Sequence, residues 1–253
     1  MKKTFILLVL SFFTFGSIIA QDSPKGLSMG KGEKIILNLY SDMWQGADSS
    51  LTVNSFNPGF AAYFMYNIPL GKSKFSFKIG FGIGSHNLHS DAYPIKEIKF
   101  DSASATDVYT GNTIFERIPG NAFNKKIEYD VNKLSLTYFD VPVEFKYSSE
   151  NKKGKAIKFA LGFKAGYLIN GHTKYRGTKY ESNIINDPDL GEADIKIKVY
   201  KIFNIETLRY GATVRFNYGM YGVFGYYSLS KIFKAGKGVE MYPISVGIAL
   251  ALL

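Results

Sequence analysis

The sequence predicts an all-β protein, an eight-stranded antiparallel up-and-down transmembrane β-barrel. Three observations support this fold class. Eight segments alternate apolar and polar residues with the period of a β-strand. The links between them alternate between long and short. After residue 20, no apolar stretch approaches the roughly 20 residues that a membrane helix needs. A chain with these properties can cross a bilayer only as a closed barrel.

The N-terminal segment, residues 1–20, has the pattern of a secretory signal peptide. Lys2 and Lys3 precede an apolar run, and Ser17 and Ala20 supply the small residues that precede a cleavage site. We expect cleavage after Ala20, with residues 21–253 forming a single barrel domain. An anchoring helix is the alternative, but the apolar run is near the lower limit for a membrane span.

The first four predicted strands are 34–44, 60–70, 75–84 and 134–147. The first two oppose aliphatic or aromatic residues to a more polar face. The third has the clearest alternation, with one face composed of Phe75, Phe77, Ile79, Phe81 and Ile83. Its other face carries only serine, lysine and glycine. Glycine weakens an ordinary strand, so we expect this face to lie in a crowded barrel interior.

The last four predicted strands are 157–169, 208–216, 221–229 and 242–252. Three of them place an unbroken apolar series on one face and lysine, arginine or small residues on the other. The facing of 221–229 cannot be assigned from its pattern. Each of the eight segments is close to the roughly 9–11 residues that cross a bilayer at a tilt.

The links give a second indication of topology. Links one, three, five and seven are long, at 45–59, 85–133, 172–207 and 230–241, and the even links are short. Outer-membrane barrels have short periplasmic turns and longer extracellular loops, so both ends of the chain are expected on the periplasmic side. A soluble lipocalin-like barrel would not need such uniformly apolar outer faces.

The fourth strand carries an apparent change of phase. From Phe139 to Tyr147 the odd-numbered residues are apolar, whereas Leu134, Leu136 and Tyr138 are apolar at even positions. A slip of one residue moves side chains to the opposite face. The pattern therefore predicts either a β-bulge near Tyr138 or a strand that rises above the bilayer there.

The segment TYFDVPVEFKY, residues 137–147, resembles a strand of the PorT-like outer-membrane β-barrel family of Bacteroidetes. In that family a strand of aromatic, apolar, acidic, apolar, proline and apolar residues recurs before a Lys-Tyr ending, which here corresponds to residues 138–147. The resemblance covers about ten residues in motif and nearly the whole mature chain in architecture. It implies an outer-membrane barrel, and the family's namesake is tied to protein secretion and gliding machinery.

Charged residues collect on the predicted inward faces. They are Lys78, Asp140, Glu144, Lys146, Lys158, Lys164, Arg209 and Arg215. Antiparallel counting from the turns brings Glu144 to the height of Lys78 and Lys158, and Asp140 nearer Lys164. Because an unpaired buried charge is costly, we expect an interior salt-bridge network that fills the lumen. A conducting pore is the alternative.

Two loop regions contain residues that could ligate metals. His86, His89 and Asp91 follow the third strand and His172 follows the fifth, but no fixed geometry or supporting shell is visible for zinc. The third long loop contains Asn186, Asp187, Asp189, Gly191, Glu192 and Asp194, oxygen ligands that suit calcium without the spacing of an EF-hand. In both regions a solvated loop is the favoured interpretation, and no cofactor is expected.

The functional expectation is a non-enzymatic role. No nucleophile lies in a recognisable catalytic spacing. Removing Lys2 and Lys3 from the formal charge of +10 leaves +8 on the mature chain, which favours anionic surfaces, but no nucleic-acid motif accompanies the lysines. We expect contact with outer-membrane lipid, and either protein partners at the extracellular loops or an accessory role in a secretion assembly. A small-solute pore and a loop-borne enzyme are the alternatives.

Overall fold

The fold is known from a computed structural model, which describes residues 33–102, 105–122, 125–150, 156–178, 194–200 and 202–252. The predicted signal peptide and its cleavage site lie outside these ranges. Within them, no helix is long and apolar enough to cross a bilayer.

Eight long strands form a closed antiparallel barrel, as predicted. They are β1 (Ile35–Gln45), β2 (Pro58–Pro69), β3 (Phe75–His89), β8 (Tyr129–Glu150), β9 (Ala156–Thr178), β11 (Leu208–Tyr218), β12 (Tyr221–Ser228) and β13 (Tyr242–Leu252). Neighbours in sequence pair around the barrel, and β13 returns to pair with β1. This closing pair runs from Ile35 opposite Leu252 to Gln45 opposite Tyr242, so neither strand is left as an open edge.

The remaining strands lie at one end of the barrel. They are β4 (Ala92–Asp101), β5 (Thr106–Arg117), β6 (Asn121–Ala122), β7 (Lys125–Lys126) and β10 (Asp194–Val199). β4 pairs with β5, β6 with β7, and β10 with the upper part of β9. We call this end, which carries links 46–57, 90–128, 179–207 and 229–241, the loop end. The opposite end, with the short links, is the turn end.

Three strands, β3, β8 and β9, are longer than predicted, because polar residues continue their pairing beyond the apolar band. β8 has 22 residues and β9 has 23. β3 also continues to His89, six residues past its last outward apolar side chain, Ile83. The walls formed by β3, β8 and β9 therefore project past the other strands at the loop end.

The outward faces form an apolar band. Leu39, Phe81, Leu161 and Ile248 are each more than half exposed, and they belong to a series that continues around all eight strands. Such a surface would be unstable in water and is suited to lipid. On β12, whose facing the sequence left open, Tyr221 and Val223 point outward while Phe224 and Tyr226 are buried.

The change of phase in the sequence of β8 does not reverse the facing of its side chains. Its even-numbered residues stay buried from Leu134 through Asp140 to Lys146, so Leu134, Leu136 and Tyr138 point into the barrel. A bulge does occur beside Tyr138, but the extra residue is Ile169 in β9, between the pairs Thr137 to Asn170 and Tyr138 to Leu168. The apolar residues change position because the lumen itself becomes apolar towards the loop end.

Candidate functional site

The lumen nearest the turn end is filled by an ion cluster around Glu33, which lies two residues before β1. The Glu33 carboxylate lies 2.9 Å from Lys78 Nζ, 2.7 Å from Lys158 Nζ and 3.6 Å from Arg215 Nη1. Arg215 also donates through Nη2 to Glu144 Oε2 at 2.6 Å. Two carboxylates thus bridge three cations from strands β3, β9 and β11.

A second cluster lies farther along the lumen and is centred on Asp140. Arg209 Nη2 lies 2.8 Å from Asp140 Oδ2 and Lys164 Nζ lies 3.5 Å from it. The Tyr63 hydroxyl donates to the same oxygen at 2.9 Å. The two cations also stack on aromatic rings, Lys164 over Tyr226 at 4.0 Å and Arg209 over Tyr138 at 4.1 Å. The Asp140 charge is therefore compensated from three directions.

The structure brings together most of the charged residues that the sequence assigned to the lumen, with some different partners. Glu144 lies opposite Lys78 in the strand register, and Asp140 contacts Lys164, as expected. However, Lys78 and Lys158 pair with Glu33, while Glu144 pairs with Arg215. Lys146 is buried, and within the described residues no carboxylate lies in ion-pair contact with it.

Glu33 was missed because it does not belong to a strand. It lies two residues before β1 and shares no alternation with it, so only the three-dimensional position of the chain entry reveals its role. Asp42 and His86 were also missed as a pair. His86 Nδ1 lies 2.9 Å from Asp42 Oδ2, and its Nε2 is 3.3 Å from the Tyr40 hydroxyl, all in the buried lumen.

An apolar cluster closes the lumen at the loop end. It contains Trp44, Leu51, Leu88, Ala92, Phe115, Leu134, Leu136, Tyr138, Ile205, Ile232, Phe233 and Met241. The residues come from strand interiors and from the long links, and Phe115 of β5 packs edge-on against Phe233 at 5.9 Å. A small cavity between this cluster and Arg209 has room for about one water molecule.

The β4–β5 hairpin extends from this cap, and polar contacts hold its irregular centre. The register shifts between Lys96 and Ile98. Across the shift, Thr110 Oγ1 and Asn112 Nδ2 donate to Glu97 Oε2 at 2.6 and 3.0 Å. These hydrogen bonds stabilise the carboxylate and lower the pKa of Glu97.

The candidate zinc ligands do not converge. His86 points into the lumen, whereas His89, three residues later on the same strand, lies on the outer face, because side chains alternate along β3. Asp91 accepts from the Thr52 backbone and lies 3.8 Å from Arg117. Among the described residues, no three histidine, cysteine or acidic side chains are grouped to hold a metal.

The candidate calcium loop falls largely outside the described residues, because Asp187 and Asp189 belong to segment 179–193. Asp194 is the first residue of β10 and pairs with Thr178.

The family comparison agrees with the closed barrel. The family model described as outer membrane protein beta-barrel domain matches residues 28–234. This range contains seven of the eight barrel strands and ends before β13. No curated protein and no solved structure matches the chain. On the family match and the lipid-suited outer surface, the chain belongs to the outer membrane protein beta-barrel domain family and is a β-barrel protein of the outer membrane.

Proposed function

We propose that this protein is a non-conducting, non-enzymatic membrane anchor that presents its loop end to a protein partner outside the cell. The filled lumen is the observation that supports the proposal best. The Glu33 cluster, the Asp140 cluster and the apolar cap follow one another along the barrel, and each spans its width through contacts between different strands. A continuous water path through such a lumen would require several buried contacts to break.

The loop end offers a surface for a partner. On the β4–β5 hairpin, Ile98 and Phe100 share a face and are 59% and 66% exposed. Large apolar side chains in such positions are typical of protein interaction sites. The hairpin itself is held to the barrel through Phe115 and through the Thr113 hydroxyl, which donates to the Phe203 carbonyl at 3.1 Å.

We further propose that export uses the signal peptide, with cleavage after Ala20, and that the barrel serves as an accessory of a secretion assembly, as the PorT-like resemblance implies. The resembling segment lies within β8, and its Tyr138, Asp140, Glu144 and Lys146 point into the lumen. In this interpretation, the residues of the PorT-like motif fill the lumen, and the loops determine which protein partner the barrel binds. Intact-mass measurement of the mature protein would test the cleavage site.

Single-channel recording tests the proposed absence of conduction. The purified barrel, reconstituted in planar bilayers, is expected to give no stable steps, while a general porin in the same lipid provides the positive control. Regular pore-sized steps from the folded barrel would overturn the proposal in favour of the small-solute pore.

Two single substitutions, one on the hairpin and one in another loop, test the proposed partner surface. Affinity purification from outer membranes with Phe100→Ser should lose partners that the unaltered protein retains. Phe56→Ser is the matched control, because Phe56 is 69% exposed in a different loop. Equal partner recovery with both variants would show that the hairpin is not the binding surface.

A further inference from the structure

The projecting wall of β3, β8 and β9, together with β10 paired to its edge, carries a row of basic side chains. His89 of β3 lies opposite Lys133 of β8, Lys133 lies opposite Lys174 of β9, and Lys174 lies opposite Lys198 of β10. Residues directly opposite one another point to the same face of a sheet. We call these four residues the cationic row. Its positive charge comes from the three lysines, because burial and the neighbouring Lys133 and Lys174 lower the pKa of His89.

The cationic row is on the outer face of the wall. Lys133 lies an even number of residues from Phe139, Val141 and Phe145 along β8, so it points to the same face as these members of the apolar band. Beyond the Ile169 bulge, Lys174 keeps this facing because it pairs with Lys133. The row therefore points sideways from the barrel, above the band.

The positive charge of the cationic row is not balanced by carboxylates of the described residues. Lys133 Nζ donates to Asn87 Oδ1 at 2.9 Å, but among the described residues no carboxylate lies within ion-pair distance of the four side chains. Nearby, the Nδ1 atoms of His89 and His172 are buried and have no partner among the described atoms. Like charges directly opposite on neighbouring strands destabilise a sheet. An external anion would remove this cost.

The position of the row identifies the kind of anion. Ile83 and Phe139 pair at the edge of the apolar band nearest the loop end, and each lies six residues along its strand from His89 or Lys133, respectively. Six residues extend about 20 Å, or roughly 15 Å in height at a tilt of about 40°. Ordinary headgroups occupy only about 5–7 Å per leaflet, but sugar headgroups extend farther, and lysine stems can bend towards the membrane.

We propose that the cationic row binds the phosphate groups of a glycolipid in the outer leaflet. This inference rests on the proposed orientation, in which the loop end faces the cell exterior. A lipid is favoured over a soluble anion because the row continues the lipid-facing wall and points laterally. Small polar residues, including Ser85, Ser135 and Thr137, fill the interval between the band and the row on β3 and β8.

The test uses the full-length barrel in detergent micelles and fluorescently labelled lipopolysaccharide with phosphorylated sugars. Lys133→Gln with Lys174→Gln removes the centre of the row. Lys72→Gln with Lys74→Gln removes the same charge from the exposed turn between β2 and β3, at the opposite end of the barrel. We expect about tenfold weaker binding for the row variant and less than about twofold for the control. Heat-dependent gel mobility verifies that each variant is folded.

Three results would overturn the proposal. One is equal binding by the row variant and the unaltered protein, and another is equal affinity for enzymatically dephosphorylated lipopolysaccharide. The third is binding of inorganic phosphate without any binding of the glycolipid, which would exclude a lipid site. Conductance in planar bilayers is a separate measurement, so it distinguishes failure of this inference from failure of the anchor proposal.

Discussion

Asp140 is contacted by side chains from three other barrel strands in the middle of the lumen. Its carboxylate accepts from Arg209 and Tyr63 and lies near Lys164, and its side chain is fully buried. In a low-dielectric site, an acid that neutralises two cations cannot be removed without leaving charge uncompensated. The stability of the middle of the lumen therefore depends on this single residue.

Asp140→Asn is expected to lower the free energy of unfolding by about 3–5 kcal/mol, because Arg209 and Lys164 would keep their burial and lose their counter-charge. Urea unfolding in lipid vesicles, followed by tryptophan fluorescence, measures the loss. Asp130→Asn is the matched control, since Asp130 pairs with Arg176 on the exposed surface. That substitution should cost no more than about 1 kcal/mol. Equal losses would show that Asp140 is not a central counter-ion.

At this scale the sequence predicts which charges face the lumen, but it predicts only some of their partners. Alternation along a strand determines facing, so Lys78, Asp140 and Arg215 could be assigned inward. Partner choice depends on side-chain reach across the lumen and on residues without periodicity. Glu33 illustrates this, because it enters the lumen from outside any strand and takes the cations that counting had assigned to Glu144.

The glycines of β3 allow the neighbouring strand β2 to pack closely, and they leave space for the Asp140 cluster. A Cβ atom at Gly82 would meet the Ala62 carbonyl oxygen and the Tyr63 ring. The Tyr63 ring therefore lies across the backbone of β3, which lets its hydroxyl reach Asp140. Glycines weaken a typical strand. In β3, however, they make room for the contact between Tyr63 and Asp140.

Gly82→Ala is consequently expected to destabilise the barrel by about 1–3 kcal/mol, because the neighbouring strand must shift. Thermal unfolding monitored by circular dichroism measures the change. Gly120→Ala serves as the control, since its added Cβ would meet no atom within 4 Å. A loss at Gly120 equal to that at Gly82 would contradict the packing explanation.

At the level of elements, all eight barrel strands could be predicted because each crosses a boundary between lipid and lumen. Period-2 alternation follows directly from that boundary. The apolar pattern of β8 changes phase where that boundary changes. Leu134 and Leu136 are apolar and inward because they meet the apolar cap, whose other members come from distant links. The extensions of β3, β8 and β9 lack the regular series of outward apolar residues that marks the band.

For the whole molecule, closure by β13 is expected to be indispensable. A chain ending at residue 234 would lack β13 and would leave the hydrogen-bonding edges of β1 and β12 unpaired. We expect it to give no heat-sensitive shift in gel mobility and no cooperative unfolding in micelles.

The matched deletion removes segment 179–193 and joins Thr178 to Asp194 through two glycines. These two residues are paired across β9 and β10, so a short turn can connect them. This shortened chain should keep the mobility shift of the folded barrel. Loss of the shift in both chains would show that length, rather than the closing strand, determines folding.

The pairing of β1 with β13 also has a kinetic consequence. The two strands come from opposite ends of the chain, so the contact that completes the barrel has the largest sequence separation and is expected to form slowly. Until it forms, the secreted polypeptide exposes open strand edges and an oily surface to water. Between export and insertion, the chain would therefore depend on a chaperone that binds unfolded segments and prevents aggregation.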